Sequence, residues 1–342
     1  MLTYAPMTHT LICTRNMDHR RFALLFIAPI LFVSASVMLT RICRYPIEGM
    51  VSANEFETLD TDALTAAPTQ SACDPRLTAC CISDADKLRA QLGEECSVVI
   101  HPPFVIGGDF SNEELRRWYH RTIHPATRAM QDEYLAHLPT RTIRLLLFRN
   151  SDSYDHYCET LFGDRYLSVY GYYRPVERTV MVNVGTGSGS LVHELTHALM
   201  DQDFSSAPPW LQEGLASLHE QAVVLRKQDQ LQLCGRVNWR LPRLRQAMLE
   251  GKLEPIQSLF TSESLLNEQE ALNYARARYF CLYLQSRGVL SRFYQSFRDW
   301  GYTQDPTGRK TLQEIFGENA YGNLHHDFSK WLSELDTDAY ST

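Results

Sequence analysis

Two histidines, His193 and His197, bracket a glutamate in the run His193-Glu194-Leu195-Thr196-His197. On a helix, residues four apart stand one turn above each other on the same face. Both imidazoles can therefore be presented to one metal ion, at about 2.0–2.1 Å in the case of zinc. Glu194 lies one step on, about 100° around the helix, where its carboxylate can reach a water at the metal without ligating the metal. Leu191, Leu195, Ala198 and Leu199 form an apolar stripe on the opposite side, which is the face that buries such a helix. One amphipathic element accounts for both faces.

Two imidazoles do not complete a hydrolytic site, which takes three protein ligands and keeps one position open. The best third ligand is Glu213 in Trp210-Leu-Gln-Glu-Gly-Leu-Ala216. It falls in the first turns of a second helix opened by Pro208-Pro209, a position that tolerates proline. Gly214 beside it permits close helix approach. Asp201 and Asp203, in the connection between the two helices, are weaker candidates. Asp201 shares the face of His197, but the helix direction carries it away from the metal. The scattered histidines His101, His120, His124, His137, His156, His219, His325 and His326 read as surface or satisfied core groups.

These side chains need a scaffold. Ser97-Val-Val-Ile and Pro103-Phe-Val-Ile read as short strands ended by Gly107-Gly108, and order is expected to begin near Cys96. Asp109-Phe-Ser111 caps a helical stretch to about Ala136, with Glu113 and Glu114 in its first turn and Pro125 as its kink or break. A leucine-rich strand over 142–148, a helix over 151–162 and strands over 167–173 and 179–184 follow. Gly185-Thr-Gly-Ser-Gly-Ser190 then breaks the sheet and opens the metal helix, which runs to about Met200. Beyond Gly235 the chain reads as helical, notably over Leu241–Leu249 and Glu268–Arg287. Strands first and helices afterwards predict an α+β fold. A small mixed β-sheet with packed helices carries the metal site over 96–233, and an all-helical C-terminal half follows over 234–342.

The 342 residues are 44% hydrophobic and 21% charged, as in ordinary globular proteins. A net charge of -7 argues against nucleic acid as the main partner. Arg15, His19, Arg20 and Arg21 precede a run from Phe22 to Thr40 without charge, about nineteen residues and long enough as a helix for a hydrocarbon core. Residues 1–43 are expected to be a basic leader with a signal peptide or signal anchor, which places the rest outside the cytoplasm. Residues 44–95 read as a linker or stalk. Cys73, Cys80, Cys81 and Cys96 cluster there, as disulfide-forming cysteines do in oxidising compartments. Cys158, Cys234 and Cys281 read as core thiols.

The segment Leu191-Val-His-Glu-Leu-Thr-His-Ala-Leu199, followed by Trp210-Leu-Gln-Glu-Gly-Leu-Ala216, resembles the gluzincin metallopeptidases, specifically the peptidase MA-like domains of bacterial proteins. The similarity runs from about Cys96 to Leu335. It takes in Tyr170-Gly-Tyr-Tyr-Arg-Pro175 with Val182-Asn-Val184, and Tyr274-Ala-Arg-Ala-Arg-Tyr279 leading to Tyr283-Leu284 and Gly288. The resemblance implies a zincin-like fold with one Zn2+ ion held by His193, His197 and Glu213, and Glu194 as general base. It also implies an edge strand over the cleft that pairs with extended substrate, either 167–173 or 179–184. A tyrosine that steadies the oxyanion is implied too, Tyr274 with Tyr279 as the alternative. Position 217, one turn after Glu213, is a departure: it is Ser where many relatives carry an acidic residue.

The expected function is an exported zinc metallopeptidase acting on a peptide or protein, held at the membrane if the N-terminal segment is uncleaved. Two alternatives compete. One is an inactive module of the same shape that binds a peptide or cell-envelope partner, which has no need of Glu194. The other is a zinc amidase acting on a non-protein amide such as a peptidoglycan cross-bridge.

Overall fold

Leu145 and Leu147 alternate with Leu146 and Phe148, and every one of them is buried. A strand can bury both its faces only at the centre of a covered sheet. In the computed structural model, which describes residues 57–58, 74–165, 168–227, 229–261, 265 and 269–335, that strand is β4 (Ile143–Phe148). The sheet has the order β2 (Ser97–His101), β3 (Phe104–Gly108), β4, β6 (Thr179–Asn183), β5 (Gly171–Arg174). Strand β4 is parallel to β3 and β6, whereas β2 and β5 run antiparallel at the two edges. The fold is α+β with a mixed sheet and a helical C-terminal half, as expected.

One face of the sheet is covered by α1 (Pro75–Leu92) and α4 (Ser151–Phe162). Helix α1 corrects the linker expectation for 44–95, because order begins well before Cys96. Cys81, Ala85, Leu88 and Leu92 recur at helical spacing and are buried against Val98, Val105, Leu146 and Met181. This stripe, joined by the partly buried Leu77, is what the helix packs on the sheet, while Ile82 stays exposed. Cys80 and Cys81 consequently point to solvent and to core, and Cys80, Cys96, Cys158 and Cys281 are free thiols rather than bridged. The expected leader over 1–43, the rest of the linker apart from residues 57–58, and Cys73 lie outside the described residues. Among the described residues no helix is long and apolar enough to cross a membrane.

The other face packs on α2 (Asn112–Trp118), a π-helical turn (Tyr119–Ile123), α3 (His124–Glu133), α5 (Ser188–Asp203) and α6 (Pro209–His219). Ser111 and Glu114 form a reciprocal capping box that starts α2. The break expected at Pro125 is the π turn directly before it. Proline lacks the N–H that would continue the ladder, and it sits in the first turn of α3 instead.

Between α6 and the helical half lies an unexpected hairpin, β7 (Ala222–Lys227) and β8 (Gln230–Gly235), with β1 (Glu57–Thr58) added to β7. Asp132 and Glu133, at the end of α3, accept hydrogen bonds from the backbone N–H groups of Leu231 and Leu233. The helical half comprises α7 (Leu241–Leu249), α8 (Ile256–Phe260), α9 (Glu270–Ser286), α10 (Leu290–Gln304), α11 (Arg309–Phe316) and α12 (Glu318–Glu334). Helix α9 is buried on nearly all sides and lies against α6 at Gly214. A Cβ there would stand 2.8 Å from the Ala277 carbonyl oxygen and 2.8 Å from Cys281 Sγ, so only glycine permits this approach.

Candidate metal centre

Helix α5 places His193 and His197 on one face, as their spacing requires, and α6 brings Glu213 across to them. The His193 and His197 Nε2 atoms are 3.2 Å apart, and each lies 3.6 Å from Glu213 Oε2. The point equidistant from the corners of that triangle is about 2.0 Å from each, the length of a metal–nitrogen or metal–carboxylate bond for a small divalent ion. The side chains of His193, His197 and Glu213 are 17%, 12% and 24% exposed, so the group opens to solvent on one side. The three residues could hold a metal ion, and no other such cluster occurs among the described residues.

The remaining candidates from the connection serve the scaffold. Asp201 accepts a hydrogen bond from the Tyr173 hydroxyl, which ties β5 to the end of α5. Asp203 accepts from the Ala136 backbone N–H, the Tyr294 hydroxyl and Arg298. Neither joins the metal group, because the helix rise carries both away from His197.

Glu194 is 8% exposed and lies under β5. A Cβ on Gly171 would stand 3.2 Å from Glu194 Cγ, so the strand backbone lies close against the stem of this side chain. Burial raises the Glu194 pKa and the nearby Glu213 and Glu220 push the same way, against the lowering effect of His193 and His197. Burial disfavours a charged His193, but Glu213, Glu220 and Glu194 outweigh it and raise its pKa to about 10. Burial likewise opposes ionisation of Glu213, yet His193 and His197 hold its carboxyl well below the usual carboxylate range. Three carboxylates around two imidazoles make a pocket that favours a cation.

Of the two tyrosines, only Tyr274 reaches the site. Burial, then the neighbouring Glu213 carboxylate, push its phenol well above the usual value. Tyr279 is fully buried elsewhere: its hydroxyl accepts from the Asn238 N–H at 2.8 Å and donates to the Asn238 carbonyl at 3.1 Å. Of the two candidate strands, β6 lies inside the sheet between β4 and β5, so β5 alone is the edge near Glu194. Tyr172 and Arg174 stand opposite Met181 and Thr179. The Tyr170 carbonyl accepts from the Asn183 N–H, and alternation from there turns the backbone groups of Gly171 and Tyr173 away from β6.

Two contributors have no counterpart in the sequence reading: Glu220 and Arg240, whose Nη2 lies 3.2 Å from the Glu220 carboxylate. Glu220 follows Glu213 by seven residues, close to two full turns, so an acidic residue at that spacing was a usable signal. Compared with known proteins, the chain matches no protein family and no curated sequence. The geometry of the site therefore carries the functional conclusion.

Proposed function

We propose that the chain is an exported zinc metallopeptidase of the gluzincin type. The observation that supports it most is the His193–His197–Glu213 triangle with a buried carboxylate, Glu194, between it and an open strand edge. Two imidazole nitrogens and one carboxylate oxygen suit zinc, whereas calcium and magnesium favour six or more oxygen ligands. Bound zinc would supply Lewis acidity, which polarises a carbonyl and brings water towards ionisation near neutral pH.

The chain's own groups then have distinct tasks. The outward backbone groups of Tyr173 and the outward carbonyl of Gly171, whose own N–H is held by Ser168 Oγ, pair with an extended peptide and align its scissile bond along β5. Glu194 takes the proton of the attacking water and passes it to the leaving amine, a step worth about 10²–10⁴ in rate. Its raised pKa suits a group that must bind and release a proton in turn. The Tyr274 hydroxyl donates a hydrogen bond to the oxyanion. Export follows from the charge-free run Phe22–Thr40 behind its basic flank.

The test is Glu194→Gln in the full-length chain, with zinc content and cleavage of a broad peptide library measured together. Zinc stays bound and turnover falls about 10²-fold or more. Full hydrolysis by the variant would refute the proposal. Wild-type zinc binding without any peptide cleavage would favour the binding module, and release of fragments from purified cell wall alone would favour the amidase.

A further inference from the structure

His193 turns its Nε2 towards Glu213 and His197, so its Nδ1 faces the opposite way. There Glu220 Oε2 lies 3.8 Å from Nδ1, an ion-pair distance. Glu220 is the residue at the C-terminal end of α6, on the same side of that helix as Glu213. It is held from behind. Arg240 Nη2 is 3.2 Å from Glu220 Oε2 and Nη1 is 3.4 Å from Oε1, a two-pronged contact. Arg240 itself stacks over the Trp239 ring at 4.3 Å, and the buried Arg278 on α9 adds a second positive charge beside Glu220.

The backbone fixes the same junction. Gly189, in the first turn of α5, lies against Glu220, where a Cβ would stand 2.4 Å from the Glu220 carbonyl oxygen. The start of the metal helix and the end of the Glu213 helix are thereby locked together one turn from His193. Ser217 does not compete for the role. It is fully buried, and its hydroxyl has no hydrogen-bond partner among the described residues.

We propose that Glu220, clamped by Arg240, is the positioning residue for His193. A carboxylate facing Nδ1 keeps the proton on that nitrogen and leaves the Nε2 lone pair for the metal, while fixing the plane of the ring. In this chain that carboxylate stands two turns after the Glu213 ligand instead of one, and the Arg240 guanidinium fixes its orientation by meeting both of its oxygens. The inference rests on the metal centre proposed above.

The experiment uses the full-length chain and its Glu220→Gln, Glu220→Asp and His193→Ala variants. Zinc affinity is read by chelator competition, coordination by the visible spectrum of the cobalt-substituted protein, and folding by thermal unfolding of the metal-free chain. Glu220→Gln weakens zinc by about 10–100-fold and changes the cobalt spectrum, with unfolding of the metal-free chain near wild type. Glu220→Asp recovers part of the affinity, and His193→Ala loses the metal. Wild-type affinity and spectrum in Glu220→Gln, alongside loss of zinc in His193→Ala, overturns the role of Glu220 and leaves the metal centre standing. Weakened zinc that merely tracks unfolding of the metal-free chain also overturns it. Absence of zinc binding by the wild-type chain overturns the metal centre and this role with it.

Discussion

Acidification should destabilise this protein through one buried histidine. His219 is 1% exposed at the end of α6. The Thr196 hydroxyl donates to the Val192 carbonyl at 2.8 Å, so its oxygen is free to accept, and His219 Nδ1 lies 3.1 Å from it. The proton is thus on Nδ1. Nε2 is a buried lone pair with no hydrogen-bond partner among the described residues. Burial, with the positive charge of Arg278 and His193, lowers the His219 pKa from 6.5 to about 3. The unfolded chain takes up a proton below about pH 6.5 that the folded protein does not. Stability contributed by this group is therefore complete above the unfolded pKa and is lost as pH falls towards the folded one. The slope is about 1.4 kcal/mol per pH unit, or roughly 2 kcal/mol by pH 5. His219→Gln keeps a donor for Thr196 and cannot charge. Urea denaturation of the full-length wild type and variant, both with chelator present, measures the difference between pH 7 and pH 5. The wild type should lose roughly 2 kcal/mol more than the variant over that interval. Equal losses would mean that folded His219 already carries a proton, and the tautomer assignment would fall.

Two further substitutions probe the strand and the phenol. In Gly171→Ala the new methyl meets the Met181 carbonyl oxygen at 2.7 Å, and Glu194 Cγ and Val182 Cγ2 at 3.2 Å. We expect about 1–3 kcal/mol of destabilisation by chemical denaturation and slower peptide cleavage with zinc affinity unchanged; wild-type stability and turnover would show that β5 has slack over Glu194. Tyr274→Phe should retain zinc and lower kcat by about 10²-fold with little change in KM, because its hydrogen bond matters most in the transition state. Wild-type steady-state kinetics would assign Tyr274 to packing.

What was legible in the residues was whatever a single helix encodes. The spacing of His193 and His197 places two imidazoles on one face without help from the rest of the chain. The helices over Ser151–Phe162 and Leu241–Leu249 likewise end where the local residues say they should. Relations across the fold were less visible. The run GYYR of β5 and the run TVMVN of β6 both read as strands, and their order in the sheet decides which one is the edge. The continuous apolar stretch Val180-Met181-Val182 is the clue that β6 is covered on both faces. Helix α1 was hidden because its stripe of two leucines, one alanine and one cysteine is short and is blurred by apolar residues off the stripe, such as Cys80 and Ile82.

Glu220 shows the same limit from the functional side. Its distance from Glu213 in helical turns is a local property, and that alone puts both carboxylates on one side of α6. Its ionisation is not local: burial opposes it, and His193 on α5, then Arg240 and Arg278 from separate helical segments, favour it. A carboxylate this close to Glu194 and Glu213 would be driven towards protonation without those cations, since like charges sharing a partly buried site disfavour each other's ionised forms. Glu220 faces His193 with the Arg240 guanidinium, from the start of the helical half, set against both of its carboxylate oxygens. In the proposed metal centre, that gives the segment opening the C-terminal helices a positioning task in addition to covering the core.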